Sequence, residues 1–128
     1  MLHYATVDYD AKRDFVHIRY KAAVLADDRD VMAFAAEIDP AMRGLGRKVD
    51  IIVDLGELVV KPAAMRAYDV TRQRMFRAYA KSAYRYSGSS LVRTKILTSS
   101  TLNSQTANVF ETFDQALAAL LADRAARP

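Results

Sequence analysis

The chain has no cysteine and no tryptophan, and only two histidines, four glycines and three prolines in 128 residues. Without cysteine there can be no disulfide, no thiolate zinc site and no thiol nucleophile. The histidines, His3 and His17, both fall in a predicted N-terminal hairpin and are not paired at helical or strand spacing. A histidine metal site therefore has no sequence support, and no metal is expected. The glycines are too few for a phosphate-cradling loop: there is no GxGxxG and no GxxxxGK. No run approaches the roughly 18 apolar residues of a membrane span. Met1 is followed by a polar, strand-like stretch and not by the apolar core of a secretory signal, so the expected compartment is the cytoplasm.

What is present is an ordinary globular balance of apolar and charged residues. A chain of this length can bury about two-thirds of its unfolded surface, enough for one core without staples. A single domain over residues 1–128 is expected. Charge is distributed unevenly. Residues 1–60 hold 8 basic and 11 acidic side chains, residues 61–95 hold 9 basic and one acidic, and the remainder holds two basic and three acidic. A basic excess confined to one middle segment points to an anionic partner, whether acidic protein, acidic lipid, phosphorylated ligand or nucleic acid.

Periodicity orders the elements. His3 to Tyr9 alternates, Asp10 to Asp14 is a polar turn, and Phe15 to Leu25 alternates again, which predicts a β-hairpin. Val16, Ile18 and Tyr20 share one face of its second strand, and Phe15, His17 and Arg19 the other. Val31, Phe34, Ala35, Ile38, Met42 and Leu45 recur at helical spacing after an acidic start. Pro40 is expected to interrupt or kink that helix, and Gly44 and Gly46 to end it. Val49 to Leu55 reads as a central strand covered on both faces. Residues 56–61 read as a loop, and Pro62 opens a basic helix running to Ser82. Tyr84 to Ser90 reads as a loop, Leu91 to Thr98 as a strand, Ser99 to Ala107 as a loop or short helix, Asn108 to Thr112 as a brief strand, and Phe113 to Asp123 as a helix. The expected fold is α/β: a single-layer mixed sheet of four to five strands, with an N-terminal β-hairpin and packed helices.

Candidate residues follow from this order. Asp50 and Asp54 share one face of their strand and could act as paired carboxylates or a magnesium site. The plainer reading puts Asp50 at an edge and has Asp54 make a loop hydrogen bond. His17 reads as structural or solvent-facing. Ser87 to Ser90 could wrap an anion with backbone N–H groups, although a turn explains it. On the basic helix, Arg66, Arg74, Arg77 and Lys81 fall within about 80° of one another and form a stripe. Ala64, Met65, Tyr68, Met75 and Tyr79 form the opposing buried face. Arg72 projects among those apolar residues. A buried guanidinium needs a carboxylate, and Asp54 and Glu57 are the expected structural ion-pair partners. Phe76, Tyr84 and Tyr86 interleave with the basic residues, a pattern that single-stranded nucleic acid can exploit, but the core claims too many of the aromatics for that to lead.

The strand Val49-Asp-Ile-Ile-Val-Asp-Leu55, the loop and helix that follow at Pro62, and the closing Asn108-Val-Phe-Glu-Thr-Phe-Asp-Gln-Ala-Leu-Ala-Ala-Leu120 resemble the central strand, second main helix and final strand–helix of STAS domains, the anti-sigma-factor-antagonist fold. The resemblance implies a regulatory interaction domain, and it covers nearly the whole chain. Phosphorylated members carry a serine or threonine before the second main helix. Here that stretch reads Leu58-Val-Val-Lys-Pro-Ala-Ala64, without a hydroxyl, and Thr71 lies well inside the helix. The resemblance is therefore to the stand-alone STAS-like group, which overlaps in fold with lipid-carrier domains.

The expectation is a non-catalytic domain with no cofactor. It binds a protein partner or an anionic or amphipathic ligand through the loop 56–61 and the basic helix 62–82, with Lys61, Arg66, Arg74, Arg77 and Lys81 making contact. Homodimerisation stays open. The rivals are a small enzyme that gathers Asp54, Glu57 and Arg72 in a pocket and a nucleic-acid module built on the basic helix.

Overall fold

The computed structural model describes residues 3–94, 97 and 108–127. Ten elements carry the argument. They are β1 (Ala5–Asp10), β2 (Phe15–Tyr20), β3 (Ala23–Leu25), α1 (Asp28–Arg43), β4 (Val49–Asp54), β5 (Leu58–Val60), α2 (Pro62–Tyr79), β6 (Ala80–Tyr86), β7 (Val109–Phe110) and α3 (Phe113–Ala126). Residues 90–94 are also helical. Five strands form one mixed sheet in the order β1-β2-β4-β6-β7. The β1–β2 hairpin is antiparallel, and every other pairing in this sheet is parallel. β4 is thus interior, as its apolar residues on both faces predict.

Side-chain alternation divides the core in two. Val16, Ile18 and Tyr20 of β2 and Val49 and Ile51 of β4 face α1 and α2, where Phe34, Ile38, Met42 and Tyr68 are buried. Phe15, Ile52 and Tyr84 face the other way, onto Ala116 and Leu120 of α3. The hairpin faces match the period-two reading. Of the α3 leucines, Leu120 is buried and Leu121 is exposed. Helix starts follow the capping rules: the Asp27 side chain accepts from the Asp30 N–H, and Thr112 from the Gln115 N–H.

Several boundaries differ from the sequence reading. α1 runs through Pro40 to Arg43 without stopping. Pro40 lacks only the N–H that would bond the carbonyl four residues back, and its own carbonyl still accepts from the Gly44 N–H at 3.0 Å. The loop 56–61 contains a strand: Leu58, Val59 and Val60 pair in parallel with Ala23, Val24 and Leu25, a side sheet suited to β-branched residues. α2 ends at Tyr79, not Ser82, and its chain passes directly into β6 with no loop. A Gly or Pro stop is absent there, so the basic, Ala-containing stretch reads as continued helix. The strand predicted at 91–98 is also displaced. Residues 91–94 are helical, and the strand beside β4 is Ala80–Tyr86. Ser89 caps that helical stretch, its Oγ accepting from the Val92 N–H, so the Ser87–Ser90 segment is a helix entry. The loop or short helix expected at Ser99 to Ala107 lies outside the described residues.

Candidate functional site

A cavity of about 910 Å³ opens between the sheet and the α1–α2 layer. That lies within the roughly 300–1,000 Å³ typical of small-molecule sites. Its floor is the face of the sheet carrying Ile18, Tyr20, Ile51 and Val53, and its roof is Phe34, Ile38 and Met42 of α1 with Tyr68 and Met75 of α2. It continues past the edge of β6, because β7 pairs only with Arg85 and Tyr86 and leaves residues 80–84 without a strand neighbour on that side among the described residues.

Polar groups enter this apolar space at a few points. Arg72 projects from α2 and Arg85 from β6, both part-buried. Arg85 sits opposite Val53 in the ladder, so its side chain lies on the α1–α2 face of the sheet. Neither guanidinium has an ion pair or side-chain hydrogen bond among the described residues. Burial, then the neighbouring Arg72 charge, pulls the Arg85 guanidinium below its usual range. Beside the two arginines, the buried Tyr20 and Tyr68 hydroxyls lie 3.3 Å apart. Burial pushes both phenols up, so both stay protonated. One of their two protons is used between them, which leaves the other unspent.

The charged lining is one-sided. Arg72, Arg77, Lys81, Arg85 and Arg127 are basic, and Asp123 is the acidic residue among the described ones. Asp123 is already engaged, accepting from the Tyr84 hydroxyl at 2.5 Å. Arg127 lies 3.5 Å from Asp50.

The residues anticipated from sequence are dispersed. Lys61 and Arg66 are exposed at the start of α2, away from the cavity lining, and Arg77 is exposed at its rim. Lys81 belongs to β6, so the four-residue stripe does not run along one helix. Arg74 is not a free cation: its Nη2 lies 3.0 Å from Asp39, which also accepts from the Tyr79 hydroxyl at 2.8 Å. The expected Asp54–Glu57–Arg72 ion pair does not form. Asp54 turns back to accept from the Gly56 N–H at 2.8 Å, the loop bond expected of it, and Glu57 accepts from the Ala22 N–H at 3.1 Å. Both carboxylates are thereby spent on the β2–β3 and β4–β5 turns, and Arg72 is left facing the cavity. The same geometry does not assemble the three-residue pocket of the enzyme alternative.

Asp50 is not at an edge. It is buried, and it accepts from Ser82 Oγ at 2.5 Å, with Arg124 Nε and Nη2 each 2.9 Å away. Arg124 also donates to the carbonyls of Arg13 and Asp14, so one guanidinium ties α3 to the hairpin turn and to β4. Burial alone would raise the Asp50 carboxyl, but the Ser82 and arginine hydrogen bonds outweigh it and hold it below the usual range.

On the α3 face, His17 Nε2 lies 2.8 Å from the Tyr86 hydroxyl, and its ring stacks on Phe113 at 4.7 Å between centroids. Tyr86 is pushed up to about 12 by burial and by the charge of Asp54 and a hydrogen bond to it. The Tyr86 hydroxyl and the His17 ring share one hydrogen bond, which either imidazole tautomer can form. Burial and the Arg19 charge lower the His17 pKa, keeping the ring neutral near pH 7. This is a satisfied structural chain, consistent with the plainer reading of His17.

Arg85 was missed by the sequence reading. Its signal is the alternating Tyr84-Arg-Tyr86, but the sequence pattern reads as helix up to Ser82 and as loop from Tyr84. No family model matches the chain, and no curated protein does. Among the described residues, no helix is long and apolar enough to cross a membrane.

Proposed function

We infer that this chain is a non-catalytic binding module that takes an amphipathic anion into the cavity between its sheet and the α1–α2 layer. The observation that carries the reading is the pair Arg72 and Arg85, unpartnered guanidiniums in a largely apolar cavity. An uncompensated buried charge is costly, and a bound anion would relieve that cost while an apolar tail filled the rest. The contact surface anticipated from sequence thus moves inward, from the outer face of α2 to its inner face. Lys61, Arg66 and Arg74 drop out of it, and Arg77 and Lys81 stay at its rim. A STAS-like kinship and a cytoplasmic setting belong to the same reading; the interior position of β4 and the closing β7–α3 pair support the kinship. The reading requires neither a protein partner nor a homodimer.

The test is a calorimetric titration of the purified chain with 1-anilinonaphthalene-8-sulfonate, itself an amphipathic anion. Saturable uptake at one site per chain is expected. No heat and no saturation would overturn the reading.

A further inference from the structure

The cavity as described does not by itself say which anion it suits, but the count and placement of its charges do. Arg72 and Arg85 line the same cavity, the Arg72 charge is felt at Arg85, and neither has an acidic partner among the described residues. Two positive charges sharing a poorly solvated space repel each other. A monocarboxylate would neutralise one of them and leave the other exposed to the same cost. A phosphomonoester, close to a dianion at neutral pH, would neutralise both. Guanidinium forks match phosphate oxygens in pairs, and a third oxygen remains for the unspent tyrosine proton of the Tyr20–Tyr68 pair. Beyond this cluster, Val53, Met75, Phe76 and Ala83 offer an accessible apolar wall with no group that would reward a polar tail, whereas Phe34 and Ile38 are sealed in the core.

We propose that the ligand is a long-chain phosphomonoester, its head on Arg72, Arg85 and the Tyr20–Tyr68 hydroxyl pair and its tail along the apolar wall between α2 and β6. This assignment rests on the reading of the cavity as an amphipathic-anion site and adds the head-group class and the residues that select it. Arg77, Lys81 and Arg127 at the rim attract the anion but do not distinguish a monoanion from a dianion.

The experiment is isothermal titration of the whole chain, below micelle-forming concentrations, with dodecyl phosphate, dodecanoate, dodecanol and inorganic phosphate. Dodecyl phosphate should bind most tightly, dodecanoate more weakly and dodecanol weakest. Charge-assisted hydrogen bonds correspond to an affinity difference of about 10-fold or more between phosphate and alcohol. Inorganic phosphate, lacking the tail, should bind at least about 100-fold more weakly than dodecyl phosphate, since an eleven- or twelve-carbon chain brings most of the apolar burial. Arg85→Met should weaken dodecyl phosphate by about 10-fold or more and leave dodecanol itself within about threefold, because only one guanidinium's charge-assisted bonds are removed. Arg72→Met serves as the second variant, with the same expected pattern. If dodecanol binds as tightly as dodecyl phosphate, or both arginine variants leave dodecyl phosphate unchanged, the head-group assignment is wrong and the anion part of the cavity reading falls with it; if dodecyl phosphate and dodecanoate bind equally and both weaken in the arginine variants, only the head-group assignment is wrong. Tighter binding of dodecanoate than of dodecyl phosphate overturns the dianion argument. Equal binding of inorganic phosphate and dodecyl phosphate removes the tail from the site. If none of the amphiphiles binds, the cavity reading fails and the assignment falls with it.

Discussion

Replacing Asp50 by asparagine tests the most deeply buried ion pair among the described residues. The Asp50 side chain is 3% exposed, and its partners Arg124 and Arg127 are 26% and 40% exposed. Removing one member of a fully buried ion pair costs about 3–5 kcal/mol. Here Arg124 keeps its bonds to the Arg13 and Asp14 carbonyls and some contact with water, and the asparagine oxygen still accepts one bond. The expected loss is therefore about 2–3 kcal/mol, a large share of the roughly 5–15 kcal/mol that holds a domain together. For a chain of this size it corresponds to a fall in Tm of about 6–15 °C. The pH dependence gives an independent signature. The folded Asp50 carboxyl lies below its unfolded value of about 3.9, so in acid the unfolded chain binds the extra proton and stability rises with pH. The contribution is complete above about pH 5 and is lost as pH falls through the folded pKa. Urea melts of wild type and Asp50→Asn at pH 7 and pH 3 measure both effects: the gap between the two proteins should be wide at pH 7 and should narrow in acid. A gap under about 0.5 kcal/mol at pH 7, the size of an ordinary surface change, would refute the account of this contact.

Other substitutions separate the remaining claims. In the ligand-free protein, Arg85→Met should raise stability by about 1–2 kcal/mol, because it removes an unpaired, part-buried charge beside a like one; a chemical melt that shows a loss of that size would mean the guanidinium has a stabilising partner. Arg74→Ala should cost no more than about 1 kcal/mol in the same melt, since Arg74 is half exposed and its pairing with Asp39 is screened. Ala22 holds φ at 43°, in the left-handed region, so Ala22→Gly should stabilise by up to about 1 kcal/mol, the strain relieved less the added chain entropy, and a drop in Tm would count against it.

Strand and helix identity was legible wherever a period was clean. The hairpin faces, the interior β4, α1 and α3 could all be read from spacing. The direct passage from α2 into β6 could not, because Tyr79-Ala-Lys-Ser82 contains no residue that stops a helix and the strand begins on tertiary pairing with β4. The same misplacement hid the cavity. With residues 80–82 counted as helix and the strand set at 91–98, Arg85 fell in a loop and had no face. The sequence places Arg72 on the inner side of α2, but of the carboxylates expected to pair with it Asp54 is held by the Gly56 N–H of its own turn and Glu57 by the Ala22 N–H of the β2–β3 turn. Contacts such as Asp50 with Arg124 join residues 74 positions apart, and no local pattern foretells them.

The claim on which the rest depends is that the ligand lies inside the sheet–helix cavity and not on the outer surface of α2. A titration of isotopically labelled protein with dodecyl phosphate, followed by backbone amide and side-chain methyl NMR shifts, tests it directly. The account predicts that the largest shifts cluster at Ile18, Ile38, Ile51, Val53, Met75 and Arg85, which line one cavity. Shifts confined to Lys61, Arg66 and the exposed side of α2, or centred on Leu120 beneath α3, would contradict it.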